Sequence, residues 1–581
     1  MPLPDDIGPG GRIAPPDQRV IRQLAAALVF EGLLPVVAED GGRIVAAGTD
    51  GSRILLTGRR GPFGRLRLPG GDIRIERAGR TKPADVASLL AATGADAADR
   101  DRLAEELART AGFCRWNAAH LAAISDRRAL FGADLDQLID EGHPYHPSFK
   151  ARTGFGIDDH RRFGPEAGNA FRLEFVAIAR TRVHQQLPGA EAAFLDEVLG
   201  PDTAAELRSH TAARGLDPAR FTLMPVHPWQ LAHLSAEGRL APWLGDGSLH
   251  LLGPAGDRYR ATQSVRTLAS ADRPAAPHVK LPLHMATTSA LRTLEPHSVL
   301  PAPALSRWLG DVIADDPLFA ARYPLTILPE FAGAIADRDG PLAGELAVLW
   351  RRSPEAELRS GEAYVPFNAL ALVETDGRSF IAPWLGRYGR DAWLGRLLEV
   401  AVLPVWHLFL AHGIGTEAHA QNMLLVHRDG WPERLMLRDF HESVEYSRPF
   451  LARPELEPDF LAFDPAFARA APDQFYWTET TEPVRDLVTD CLFTFNLTDL
   501  SALLERCHGL PEPAFWHRLA ARLAGHAAEH GLEARARVAD LGAPVLMAEQ
   551  LVARKLFPGR ADHRHPVPNA LAPRAARRSA A

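Results

Sequence analysis

Residues 417–442 constrain this chain more than any other stretch. Met423 to His427 and Arg434 to Asp439 flank Asp429-Gly430-Trp431-Pro432. An Asp-Gly pair between two such runs is a strong short-range signal for a β-hairpin. Pairing centred between Gly430 and Trp431 sets Asn422 across from Asp439, at the same end of the ribbon as Glu417, His419 and Gln421. If 417–421 is extended, those three side chains share one face, because strand side chains alternate. Glu417, Asp439 and an amide oxygen are hard ligands suited to Mg²⁺, with positions left for water and phosphate. Arg438 and Phe440-His441-Glu442 add further groups. A solvated hairpin end explains one or two of these residues, but not so many of compatible chemistry.

Lysine use sharpens the search. The chain has four lysines (Lys82, Lys150, Lys280, Lys555) among 65 basic residues. A lysine kept in so arginine-rich a chain points to a need for a compact, flexible ammonium. Lys280 lies near Gln263-Ser264-Val265-Arg266-Thr267 and Thr287-Thr288-Ser289-Ala290-Leu291-Arg292-Thr293. Hydroxyls, backbone amides and fixed cations in one span suit a polyphosphate plus a carboxylate. A helix beginning near Thr287 would put Thr288 and Arg292 on one face and add a helix N-terminus that favours an anion. Lys150 closes Gly142-His143-Pro144-Tyr145-His146-Pro147-Ser148-Phe149, which its prolines make an ordered loop. His143 and His146 lack a third zinc ligand. Positioning of phosphate or substrate by His143 and Lys150, with Arg152 nearby, is the expectation. His227, in another proline-pinned loop, fits a buried structural histidine equally well.

At 581 residues the chain needs several subdomains. A net charge of −7 argues against a nucleic-acid or anionic-membrane partner. Cys114, Cys491 and Cys507 have neither metal-ligand spacing nor a disulfide framework, which suggests a reducing cytoplasm. The apolar stretch Leu397–Ile414 carries Glu399 and His407 and reads as a buried helix, kinked at Pro404. Alternating runs from Leu34 to Glu76 predict a small antiparallel sheet, and Phe171–Ala179 and Phe221–Val226 predict strands. Residues 1–16 and the tail read as loose. There is no Walker A loop, nucleophile elbow or Rossmann fingerprint, so an ATP site must have another design.

Taken in order, Gly142–Phe155, Met224–Gln230, Ser264–Thr267, Lys280–Arg292, Glu417–Asn422 and Arg438–His441 resemble the IucA/IucC family, the NRPS-independent siderophore synthetases. The resemblance implies an α+β, cupped-hand fold: a thumb over 1–140, fingers over 141–385, a palm over 386–560, and a flexible tail over 561–581. It implies a cytoplasmic, homodimeric ligase that adenylates a carboxylate with ATP and Mg²⁺, then joins it to an amine or alcohol with loss of AMP and pyrophosphate. Citrate is the favoured acid, with α-ketoglutarate or a citryl or succinyl mono-amide as alternatives. Carried over motif by motif, Ser264, Arg266, Thr267 and Lys280 grip the ATP phosphates. Gln421, Asn422 and Asp439 contact the nucleotide, and Glu417 and Asp439 hold Mg²⁺. Thr288, Arg292 and His419 hold the acid, so that His419, Arg292 and Lys280 form the catalytic set. Some members resemble ferric siderophore reductases at the C-terminus, where clustered cysteines hold iron and sulfur. This chain lacks that cluster, so reduction is not expected. A kinase-like phosphotransferase would also place Asn and Asp on Mg²⁺, but the His419–Asn422 spacing departs from that pattern. A non-catalytic siderophore-binding protein would not need the full Glu417, His419, Asp439 and Lys280 set.

Overall fold

Alternating polar and apolar residues after Leu34 form the expected antiparallel sheet, with five strands in the order Val36–Asp40, Arg43–Ala47, Arg53–Thr57, Arg74–Arg77, Arg80–Pro83. The computed structural model describes residues 15–70, 72–122, 126–288, 291–471 and 473–573. Ser289, the first fourteen residues and Arg574–Ala581 lie outside that set. Pro16, at the first turn of the helix Pro16–Phe30, gives up an N–H that would be unpaired there anyway.

Phe171–Ala179 and Phe221–Val226 are strands as expected. They lie in an eight-stranded antiparallel sheet with Leu249–Ala261, Thr267–Ser270, His278–Lys280, Ala347–Arg351, Glu330–Ala336 and Val183–Gln186. Thr267 pairs directly with Lys280, and His278 with Arg351. Directly opposed residues share a face, so this register gathers polar groups on one side of the sheet. Pro228 opens the helix Pro228–Ala236 instead of pinning a loop. His227 caps it, its Nδ1 accepting from the Trp229 N–H at 3.1 Å, and is buried as a structural histidine.

The hairpin forms from Met423–Arg428 and Trp431–Leu437. Asp429 (φ 51°) and Gly430 (φ 88°) are both left-handed, as a two-residue type I′ turn requires. A Cβ on Gly430 would stand 2.1 Å from Trp384, so no other residue fits there without displacing the indole. A bulge between Val426 and His427 shifts the register by one. Met423 therefore faces Leu437, and the Arg438 N–H donates to the Asn422 carbonyl at 3.1 Å. Asn422 is opposite Arg438, not Asp439.

Three further expectations are corrected. The strands Leu325–Ile327 and Ala363–Pro366 pair with the two hairpin strands in one sheet, so a boundary at 385 cuts a hydrogen-bonded unit. The tail does not loosen at 561: Arg564–Pro568 pairs with Val545–Glu549, and Val567 and Leu571 are buried. The segment after Ala286 turns back as a hairpin, Leu291–Arg292 pairing with Leu283–Ala286, and no helix starts at Thr287. Pairing satisfies backbone groups that a short exposed helix would leave to water.

The helix before the hairpin accommodates Pro404 through a change of helical winding. A wide π turn, Leu398–Val402, joins Arg390–Leu397 to Leu403–His412 and absorbs the hydrogen bond that Pro404 cannot make. Arg390–His412 and Glu482–His508 are long and apolar enough to span a membrane, but the apolar windows are 78% and 89% buried within the fold. They are core helices. Gly413 (φ 80°) ends the first of them, and a Cβ there would meet the Phe450 carbonyl oxygen at 2.3 Å.

Candidate active site

Asp439 sits directly after the hairpin in the left-handed region, at φ 64°. That conformation is held from below. Glu330, fully buried at the start of its strand, accepts from the N–H groups of Phe440 (3.1 Å) and His441 (3.0 Å) and bonds His441 Nδ1 at 2.8 Å. Asp439 Oδ1 in turn takes Lys280 Nζ and Arg351 Nη1, each at 2.7 Å. These cations keep Asp439 ionised well below the usual carboxylate range, against burial that would raise it. Burial pulls the Lys280 ammonium down, with Asp439 opposing.

Beside this cluster, the Ser264–Thr267 turn places a second set of donors. Val265 has φ 65°, a strained value for a β-branched residue and one that clusters at functional sites. Ser264 Oγ accepts from the Thr267 N–H at 3.2 Å, while the buried Thr267 Oγ1 has no hydrogen-bond partner among the described residues. Arg266 bonds the Thr293 carbonyl and lies 3.6 Å from Glu442.

Arg292 forms a third corner. Its Nε donates to Thr287 Oγ1 at 2.7 Å and its Nη2 to Thr288 Oγ1 at 3.0 Å. The expected pairing of Thr288 with Arg292 thus forms on a hairpin instead of a helix. Among the described residues no carboxylate lies within ion-pair distance of Arg292. Burial, reinforced by Arg266, lowers this guanidinium to about 10. Three imidazoles stand near it. His143 Nδ1 accepts from the Tyr145 and His146 N–H groups at 3.1 Å, His146 Nδ1 from the Ser148 N–H at 3.3 Å, and His419 Nδ1 from the Gln421 N–H at 3.3 Å. Each contact assigns the proton to Nε2 and leaves it as a donor. Burial holds His143 at about 3 and His419 at about 4, so both are neutral at pH 7.

Glu417 follows the strand Ile414–Thr416. The chain is not extended through 421: it turns, with the Asn422 N–H donating to the His419 carbonyl at 2.9 Å. Glu417 accepts from Ser443 Oγ at 2.9 Å and has no cation partner among the described residues. Burial and nearby Glu549, Glu442 and Asp439 raise it to about 7. Asn422 Nδ2 donates to the Glu417 carbonyl at 3.1 Å, and Arg438 Nε to the Gln421 carbonyl at 2.8 Å.

Lys150 is the clear misplacement. Its ammonium is buried between Glu166 Oε1, at 2.7 Å, and Asp140, and Arg152 grips the same Glu166 at 2.7 and 2.9 Å. The charged groups around it are Asp140, Glu166 and Arg152 and none of the Asp439 or Arg292 cluster, so Lys150 leaves the ATP set while His143 remains beside His419. Lys150→Met should lower stability by about 3 kcal/mol, the low end for breaking a buried ion pair, because Arg152 still holds Glu166. Urea unfolding measures the loss, and the KM for ATP of the folded variant should not change. Sequence reasoning missed Arg351 and Glu330, and the only signal for them was their place in strands whose pairing is not local.

The site thus brings together anchored cations and, among the described residues, a hydroxyl without a partner and a carboxylate without a cation, a chemistry suited to anionic substrates. Residues 132–372 match the IucA / IucC family, and residues 391–565 match the ferric iron reductase FhuF-like transporter family. The chain is 32% identical to citryl-spermidine/3,4-dihydroxybenzoyl-citryl-spermidine:spermidine ligase of Bacillus anthracis, over 95% of this chain and 93% of that protein. It is 30% identical to an aerobactin synthase of Escherichia coli, over 71% and 72%. Among solved structures, petrobactin biosynthesis protein AsbB from Bacillus anthracis superposes with a TM-score of 0.89 at 31% identity, covering 97% of this chain and 96% of that one. Aerobactin synthetase IucC from Klebsiella pneumoniae gives 0.81 at 25%, covering 96% and 97%. The protein belongs to the IucA/IucC family of siderophore synthetases and has their α+β, multi-subdomain fold. The FhuF-like match falls on a region with Cys491 and Cys507 alone, too few for a four-cysteine cluster.

Proposed function

We propose that the protein adenylates a carboxylate of citrate, or of a related polycarboxylic acid, with ATP and joins the acyl group to an amine, releasing AMP and pyrophosphate. The observation that carries this reading is the pair of complementary vacancies. Among the described residues, Arg292 has no carboxylate within ion-pair distance, and Glu417 has no cation partner. A charge left unpaired in a recess is costly unless a ligand completes it.

In this reading Arg292, the Thr288 hydroxyl and His419 Nε2–H orient the acid. Its carboxylate oxygen attacks the α-phosphorus of ATP as the bond to pyrophosphate breaks. Lys280, Arg266, Ser264 and Thr267 bind the phosphates, with Gln421, Asn422 and His143 at the rim. Glu417 and the free oxygen of Asp439 fit Mg²⁺, which would neutralise phosphate charge when bound. The amine then attacks the acyl carbon and AMP departs. The relative named as a spermidine ligase supports an amine over an alcohol. The protein should act as a homodimer in the cytoplasm.

The test is acid-dependent release of AMP and pyrophosphate, with hydroxylamine trapping the acyl-adenylate as a hydroxamate. The expected order of kcat/KM places citrate first. The relative named for citryl-spermidine favours a second reading, in which the acid is a citryl mono-amide. A higher kcat/KM for that amide would select it, and ADP without AMP for every acid would overturn the ligase reading.

A further inference from the structure

Outside the active site, two imidazoles and a carboxylate converge on one point. His407 Nε2 and His412 Nε2 each lie 2.9 Å from the same oxygen, Asp316 Oδ2. The three atoms fall within 4.8 Å of one another. Ligands around a tetrahedral zinc stand about 3.3 Å apart, given Zn–N and Zn–O bonds of about 2.1 Å. The two oxygen–nitrogen separations of 2.9 Å would open by about half an ångström to reach that spacing.

We propose that Asp316, His407 and His412 form a divalent-metal site of zinc type, separate from the nucleotide site, that clamps the end of the helix leading to Glu417. The surroundings fit. Asp316 Oδ1 is held by the Leu318 N–H at 2.9 Å, which leaves Oδ2 to the metal. His407 Nδ1 bonds His526 Nε2 at 2.9 Å, a supporting contact of the kind that orients a metal-bound imidazole. His526 Nδ1 is buried without a partner among the described residues, so this ring can take either tautomer as the His407 bond reverses. Phe319 packs against both ligand rings, at 5.2 Å from His407 and 5.8 Å from His412. The site is not sealed: the His412 and Asp316 side chains are 15% and 16% exposed, against 2% for His407, which leaves an edge for the ion and a water ligand. His412 precedes Gly413 and the strand Ile414–Thr416, so a metal here would fix where that strand begins.

Chelator-treated full-length protein titrated with Co²⁺ in excess Mg²⁺ tests this. The wild type should bind one Co²⁺ with a visible ligand-field band, and Zn²⁺ should displace it. Asp316→Asn and His412→Gln should weaken binding by more than a hundredfold, and His526→Gln by about 10–100-fold. Asp439→Asn, at the nucleotide site, should leave the band in place. Unchanged Co²⁺ affinity in folded Asp316→Asn and His412→Gln would overturn the proposal. Should those variants not fold, anomalous scattering from Zn²⁺-soaked wild-type crystals decides: a peak between the three side chains supports the site, and none there overturns it.

Discussion

Arg292→Met should lower kcat/KM for the acid by about 10²–10³-fold, the loss typical of removing one charged donor aimed at the reacting group. The KM for ATP should change far less. The reason is the division of labour among the cations. Lys280 and Arg351 are already turned to Asp439, and Arg266 to the Thr293 carbonyl and Glu442. Arg292 alone of these is held by neutral hydroxyls, which orient it without consuming its charge. Arg292→Lys keeps the charge but cannot keep both threonine bonds in one plane, so it should fall between the wild type and Arg292→Met. Steady-state pyrophosphate release, with acid and ATP varied separately, separates the two KM values. An equal loss in both would move Arg292 from the acid to the phosphates.

The parts of the site legible in the sequence were those carried by local spacing. Ser264, Arg266 and Thr267 are consecutive or nearly so, and Glu417 and Asp439 flank the two ends of one hairpin, so short-range rules reached them. The hairpin register was misread because the turn is centred between Asp429 and Gly430, not between Gly430 and Trp431, an offset of two residues in pairing of which the bulge at Val426 and His427 takes back one. The Thr287 segment shows the same limit, since hydroxyls and a basic residue at i, i+4 suit a helix while tertiary pairing made a hairpin. Lys150 was misassigned because rarity says that a lysine is needed but not for what. Asp140 and Glu166, which claim it, became neighbours only on folding. Arg351 and Glu330 were illegible for a related reason. Arg351 reaches Asp439, and Glu330 reaches Phe440, from strands 88 and 110 residues away in sequence, and pairing at that range depends on the whole sheet.

Lys280→Arg should likewise lose about 10²–10³-fold in kcat while the fold survives. Lys280 Nζ shares Asp439 Oδ1 with Arg351 Nη1, and a second buried carboxylate, Glu330, stands 3.9 Å away. Its point charge can leave Asp439 and turn to an arriving phosphate without moving the backbone. A guanidinium cannot make that exchange in the same space: it is larger, its donors are fixed in a plane, and it would pair side-on with Asp439 against Arg351. Lys280 also faces Thr267 across the sheet, so a longer side chain would crowd the hydroxyl awaiting a partner. Charge is conserved in this variant, so stability should change little, with a thermal midpoint within a few degrees of the wild type. Single-turnover hydroxamate formation isolates the adenylation step, where the loss should appear. Near-normal turnover would mean that positive charge alone suffices at this position, and that the arginine-rich chain kept Lys280 for some reason other than this geometry.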